Sequence, residues 1–117
     1  MSKIAWLPLT DSGQLMGIAE TSRPAPCIIF KHSTRCPLSS MVKSRLENSW
    51  DISKEGLDAY FLDLIAYRGL SNTIATAFGV RHESPQVLLI QNGRCTYHAS
   101  HQGIRVQDIK NILSINV

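Results

Sequence analysis

One stretch constrains the fold more than any other. The compact apolar run PCIIFKH, residues 26–32, reaches the pair Cys36-Pro37 within four residues. An apolar run of this length reads as a strand in the interior of a sheet. After Cys36 the period changes: Leu38, Val42, Leu46 and Trp50 fall at four-residue steps with Met41 beside them, which predicts a helix over about 36–49. A strand that hands over to a helix through Cys-Pro places a thiol at a helix start.

The flanking segments continue the alternation. Asp11 or Ser12 caps a short first helix with Leu15, Ile18 and Ala19 on one face. LDAYFLDLI, residues 57–65, is a second strand rich in aromatic and aliphatic side chains. Ser71 caps SNTIATAFGV, in which Ile74, Ala77 and Phe78 form the apolar stripe and Gly79 marks the stop. PQVLLI, the turn QNG and RCTYHAS make a strand–turn–strand unit over 85–100, and a closing helix over about 104–114 presents Ile104, Ile109, Ile112 and Leu113. Helix and strand alternate at the front, which implies parallel pairing; the hairpin at the back implies an antiparallel edge. The expectation is an α/β chain with a small mixed four-stranded sheet and helices on both faces, the arrangement of the thioredoxin-like fold. At 117 residues, one domain over 1–117 buries such a core without staples.

Charge and cysteine usage narrow the function classes. The net charge of +3 is mild and its basic residues are scattered, where a nucleic-acid site wants a stripe or a run. The N-terminus MSKIAWLPLTDSGQ lacks the apolar core of a signal peptide, and no apolar run approaches a membrane span. Three widely spaced cysteines make a poor disulfide framework. A reduced cytoplasmic protein is expected, without nucleic-acid or membrane partners.

The three cysteines divide by context. Cys27, inside the apolar strand, reads as a small buried hydrophobe, and Cys95, on the edge hairpin, as incidental. Cys36 is the candidate nucleophile. A helix start supplies unpaired N–H groups and the positive end of the helix dipole, both of which favour a thiolate over a thiol. Pro37 suits the first turn because its missing N–H is not needed there. Arg35 and His32 lie near enough in sequence to add positive potential, and Ser39, one turn on, is placed to donate a hydrogen bond to the sulfur. Two rival chemistries fail on spacing. A cysteine phosphatase needs an arginine six positions after its nucleophile, where this chain has Val42. A zinc site wants paired cysteines and histidines; no CxxC occurs, and His98 and His101 have no matching cysteine pair. His32 and His82 are expected to be structural or solvated, and no metal or nucleotide cofactor is implied.

A longer pattern runs across these elements. FKHSTRCPLSS, YRGLSNTIATAFGVRHESPQVLLIQNG and HASHQGI, in this order, resemble the YtxJ-type proteins of the bacillithiol system, the monothiol bacilliredoxins of the thioredoxin-like superfamily. The resemblance spans nearly the whole chain, from Trp6 to the last helix. It implies a cis peptide bond at Ser84-Pro85 facing the active cysteine, so that Ser84 and Pro85 line a substrate groove. Ser100-His101 begins the turn that, in this fold, returns to the cysteine end of the sheet. That pair either receives the carboxylates of a small anionic thiol, with the start of the last helix, or merely caps that helix. The implied activity is a monothiol disulfide oxidoreductase that removes bacillithiol, or a related small thiol, from mixed disulfides on client proteins, with the small thiol as co-substrate. Two alternatives remain at this level. One is a thioredoxin-fold binding or redox-sensing module without turnover. The other is a thiol-dependent arsenate reductase, which needs an oxyanion site of basic residues that the sequence does not place.

Overall fold

Side-chain alternation along the strand Cys27–His32 sets the layering, because every one of its residues is buried and successive ones face opposite sides. Ile28 and Phe30 enter one core with Val42, Leu46, Val87, Leu89 and Ile109. Cys27 and Ile29 enter the other with Ile18, Leu62, Ile74, Leu88 and Ile90. The computed structural model describes residues 4–23, 25–51 and 57–115. Its described elements are β1 (Trp6–Pro8), α1 (Gly13–Thr21), β2 (Cys27–His32), α2 (Pro37–Ser49), β3 (Asp58–Asp63), α3 (Arg68–Phe78), β4 (Gln86–Gln91), β5 (Arg94–Ser100) and α4 (Val106–Ile115), with a 3-10 turn at His101–Gly103 before α4. Helices α2 and α4 cover the first face; α1 and α3 cover the second.

The sheet order is β1-β3-β2-β4-β5. β1 and β2 both run parallel to β3, whereas β4 is antiparallel to β2 and to β5. This is the mixed α/β sheet expected, with one strand more. The added strand, β1, has three residues and ends in Pro8, too short to show a period in sequence. It is tolerated because an edge strand can leave a proline unpaired, and Leu9 N–H extends the ladder to Phe61 O at 2.9 Å.

Local chemistry explains most boundaries. Asp11 serves as the acceptor at the start of α1, taking Gly13 N–H at 2.8 Å, while Ser12 makes no side-chain cap. Gly79 closes α3 in the left-handed region at φ 66, and the β4–β5 turn uses Asn92 (φ 55) and Gly93 (φ 75), as a two-residue hairpin requires. The expected cap at Ser71 is a correction. α3 starts three residues earlier, at Arg68, and Ser71 lies inside its first turn, fully buried. Its N–H donates to Tyr67 O at 3.2 Å, as an intrahelical amide does. α4 starts at Val106 because Ile104 is still extended after the 3-10 turn.

Cys27 is 2% exposed, and burial, aided by the charge of Asp58, pushes its thiol up to about 12. Such a group packs and does not react. Cys27→Ala is expected to lower stability by about 1 kcal/mol through lost packing without changing the reactivity of the remaining thiols. Thermal melts and thiol-labelling rates check both halves of that expectation.

Candidate active site

Strand register gathers the site at one end of the sheet. Lys31 pairs with Gln86, and Gln86 with Ser100. The chain segments that leave this row are therefore neighbours: β2 into the Cys36 loop, Ser84-Pro85 into β4, and β5 into His101.

Cys36 is the residue that caps α2. Its backbone is extended (φ −107, ψ 115), its carbonyl accepts Ser40 N–H at 3.1 Å, and its own N–H donates to Ser33 O at 3.2 Å. Pro37 occupies the first turn, as expected. The side chain of Cys36 is half-buried and makes no cap bond to the first-turn amides of α2. Arg35 is exposed on the loop immediately before it.

Ser39 takes a role different from the one expected, and of the two roles open to His32 the structural one holds. Ser39 is fully buried, and its Oγ lies 2.7 Å from His32 Nδ1 while accepting Ser33 N–H at 3.1 Å. The hydroxyl thus ties α2 to the end of β2, where a bond to the sulfur was anticipated. Burial, reinforced by the charge of Lys43, pulls the His32 pKa below its ordinary value. A neutral imidazole adds no positive potential to the thiol. The ring instead packs 6.0 Å from Phe30 and 5.4 Å from Phe61, centroid to centroid.

A second anchor sits deeper along α2. Glu47 accepts from Trp6 Nε1 at 2.7 Å and from Lys43 Nζ at 2.8 Å. Lys43 Nζ lies 5.8 Å from the Trp6 ring centroid and 5.6 Å from that of Phe61, within cation–π range. The helix that carries Cys36 is thereby fastened to β1 and β3 as well as to β2.

Across the site, the Ser84-Pro85 bond is cis, as the resemblance implied. Pro85 O accepts His101 N–H at 2.9 Å, which joins the start of β4 to the turn after β5. His101 holds φ 54, an uncommon conformation for a residue with a Cβ. Its Nδ1 is 3.8 Å from Glu83 Oε2, and a hydrogen bond from Ser100 holds the Glu83 carboxyl below its usual range. Ser84, Pro85, Ser100 and His101 are therefore brought together. Ser100 makes no side-chain cap to the turn that follows, so the capping alternative finds no support. Ser84 Oγ and Gln86 Oε1 stand out among the described residues as buried side-chain oxygens without a hydrogen-bond partner. Both belong to this end of the sheet.

The opposite face of the same row holds a buried lysine that went unremarked in sequence. Lys31 is 0% exposed; its Nζ donates to Ser71 O at 3.2 Å and lies 3.5 Å from His82 Nδ1, which is itself 2.9 Å from Ser71 Oγ. Desolvation pulls its pKa down from 10.5 to about 8. The folded state therefore disfavours the charged form. Below about pH 8 both states are protonated and the folded state carries the full penalty. Above that pH the folded protein sheds the proton while the unfolded chain keeps it, so stability rises with pH. The cleanest window is pH 8 to 9, before an unfolded Cys27, whose ordinary value is 9.0, opposes it. Lys31→Met is expected to raise stability below pH 8 and to flatten the slope in this window, as measured by urea melts at a series of pH values. An unchanged slope counts against a buried, titrating Lys31.

Cys95 is half-buried, donates to Tyr97 O at 3.3 Å, and is pushed up by burial, consistent with an incidental role. No helix among the described residues is long and apolar enough to cross a membrane.

Comparison with known proteins agrees with this geometry. The family described as monothiol bacilliredoxin BrxC matches residues 7–109. A solved protein of thioredoxin fold assigned as an oxidoreductase is 26% identical, with a TM-score of 0.77 over 91% of each chain. The thioredoxin of Trypanosoma brucei brucei superposes with a TM-score of 0.74 at 11% identity, covering 94% of this chain and 92% of that one. The thioredoxin of Malassezia sympodialis gives 0.72 at 11% identity, covering 98% and 93%. At that identity these two establish the fold alone, and the fold is thioredoxin-like.

Proposed function

We propose, from the premise that the chain belongs to the monothiol bacilliredoxin family, that it removes bacillithiol or a closely related small thiol from mixed disulfides on client proteins. The coarser statement, a thiol redox protein of thioredoxin-like fold, follows directly from that membership. The observation that carries the finer one is the position of Cys36. It is a half-buried thiol capping α2 at the end of the sheet that also carries the cis Ser84-Pro85 bond, with no cysteine one turn further on.

In this reading the Cys36 thiolate attacks the small-thiol sulfur of the mixed disulfide. One S–S bond breaks and another forms, and the client leaves as a thiolate that takes a proton from water. Cys36 then carries the small thiol. A second small thiol, or a reductase, attacks that adduct, restores the Cys36 thiolate and departs with the adduct as a disulfide. Ser39 cannot close an internal disulfide, so the adduct persists until an outside thiol arrives. The positive end of the α2 dipole lies at Cys36, Pro37 fits the first turn without an N–H, and Arg35 adds positive charge at the exposed loop. Ser84-Pro85 and Ser100-His101 frame the groove that receives the substrate. The chemistry calls for no metal or nucleotide, only for the small thiol as co-substrate in a reducing compartment such as the cytoplasm.

The test compares a model protein carrying bacillithiol with the same protein carrying glutathione, using a catalytic amount of this chain. Multiple turnovers in the presence of free bacillithiol, faster than with the glutathione pair, are expected. Binding of the thiolated protein without turnover would favour the redox-sensing alternative.

A further inference from the structure

A cavity of about 310 Å³ lies between the second half of α2 and the start of α4, away from Cys36. Arg45, Arg105 and Lys110 line it, against the single carboxylate of Asp51. Lys110 Nζ is 2.9 Å from that carboxylate, so those two charges offset one another. Among the described residues neither Arg45 nor Arg105 is in a salt bridge, so two further positive charges line the cavity. Arg45 is also held in place. Its Nη2 donates to Gln102 O and Ile104 O, each at 3.0 Å, which uses both hydrogens of that nitrogen and fixes the guanidinium plane. Three N–H donors, on Nη1 and Nε, remain for an acceptor. The floor is formed by buried Leu46, Ile104 and Val106, an apolar wall that strengthens any charge interaction above it.

We propose that this cavity binds a small dianion, a phosphate ester or a dicarboxylate. The volume is at the lower end of the roughly 300–1,000 Å³ of ligand pockets, which fits a compact occupant. The two guanidinium groups outside any salt bridge match a double negative charge, and guanidinium is suited to phosphate and carboxylate alike. Arg45 lies nine residues beyond Cys36, about 13 Å along the axis of α2 at 1.5 Å per residue. The occupant is thus separate from the thiol. It sits instead beside the loop that follows Ser100-His101, whose carbonyls orient Arg45.

The experiment is a nuclear magnetic resonance titration of the whole reduced protein with inorganic phosphate, and separately with succinate, at ionic strength held constant with sodium chloride. Saturating amide shifts centred on Arg45 and residues 104–107, with a dissociation constant in the millimolar range or tighter, are expected for at least one probe. Saturation by phosphate alone identifies a phosphate ester as the occupant class, and saturation by succinate alone a dicarboxylate. Arg105→Gln, which removes an exposed cation, should weaken binding roughly tenfold, the scale of a charge-assisted bond. Cys36→Ser should bind as wild type does, which separates this site from the reading of Cys36. Linear, non-saturating shifts with both probes, or equal affinity in wild type and Arg105→Gln, would overturn the proposal.

Discussion

Replacing Cys36 by serine is expected to bring de-thiolation of a mixed-disulfide substrate down to the uncatalysed background while leaving the fold intact. Two physical facts set the size and the cleanness of this effect. A serine hydroxyl stays protonated at neutral pH and is a far poorer nucleophile than a thiolate, so the first sulfur–sulfur exchange is lost outright. The backbone, by contrast, gains a good residue for its position. Cys36 caps α2 with extended dihedrals and no side-chain cap bond, and serine is among the side chains preferred at a helix start. The melting temperature should therefore hold or rise slightly. Intact-mass measurements after addition of an oxidised small thiol should show an adduct on wild type and none at this position in Cys36→Ser. Retained turnover by a folded Cys36→Ser protein would remove Cys36 as the nucleophile. Complete loss of turnover in a folded Cys27→Ala protein would show that the wrong cysteine had been assigned.

The parts of this arrangement that were legible in the sequence are those written in short-range pattern. The change from the apolar run of β2 to four-residue steps after Cys36 marked both the strand end and the helix start, and Asn92-Gly93 marked the hairpin. β1 was not legible, because three residues ending in Pro8 carry no period and its pairing with β3 is decided more than fifty residues away. Ser71 was misplaced because a serine near a helix start looks the same whether it caps the first amides or sits buried in the first turn. The partner of Ser39 was not legible either. On sequence spacing the nearest candidate was the sulfur one turn back, whereas the fold brings in His32, seven residues away and on another element. Longer links, Trp6 to Glu47 and Lys31 to Ser71, leave no local trace at all. Yet one signal was present and unused: Lys31 and His32 are polar residues at the end of an otherwise apolar strand, and buried polar groups require partners.

Ser39→Cys tests the mechanism from the opposite direction, by supplying the resolving thiol that the chain lacks. The substitution turns CPLS into a CxxC that begins at Cys36. Residues three apart on a helix lie roughly 5–6 Å from one another, within the Cα separation that a disulfide spans. The new sulfur replaces an oxygen that lies 2.7 Å from His32 Nδ1, a ring that burial disfavours in its charged form, so the thiol has a neutral hydrogen-bond partner beside it. Loss of the buried hydroxyl's bonds should cost about 1 kcal/mol of stability, too little to unfold the chain. Once a small thiol is mounted on Cys36, the thiolate at position 39 attacks the Cys36 sulfur intramolecularly, releases the small thiol and leaves an internal disulfide. Its effective concentration exceeds that of any free thiol in solution. Intact-mass analysis after addition of an oxidised small thiol should therefore show a stable single adduct on wild type. Ser39→Cys should show instead a species about two mass units below the reduced protein, because two hydrogens are lost. Ser39→Ala, which removes the hydroxyl and adds no sulfur, should keep the adduct. If the adduct persists equally on Ser39→Cys, then position 39 is held by His32 out of reach of Cys36. The one-turn relation between the two residues would then play no part in how this thiol is left unresolved.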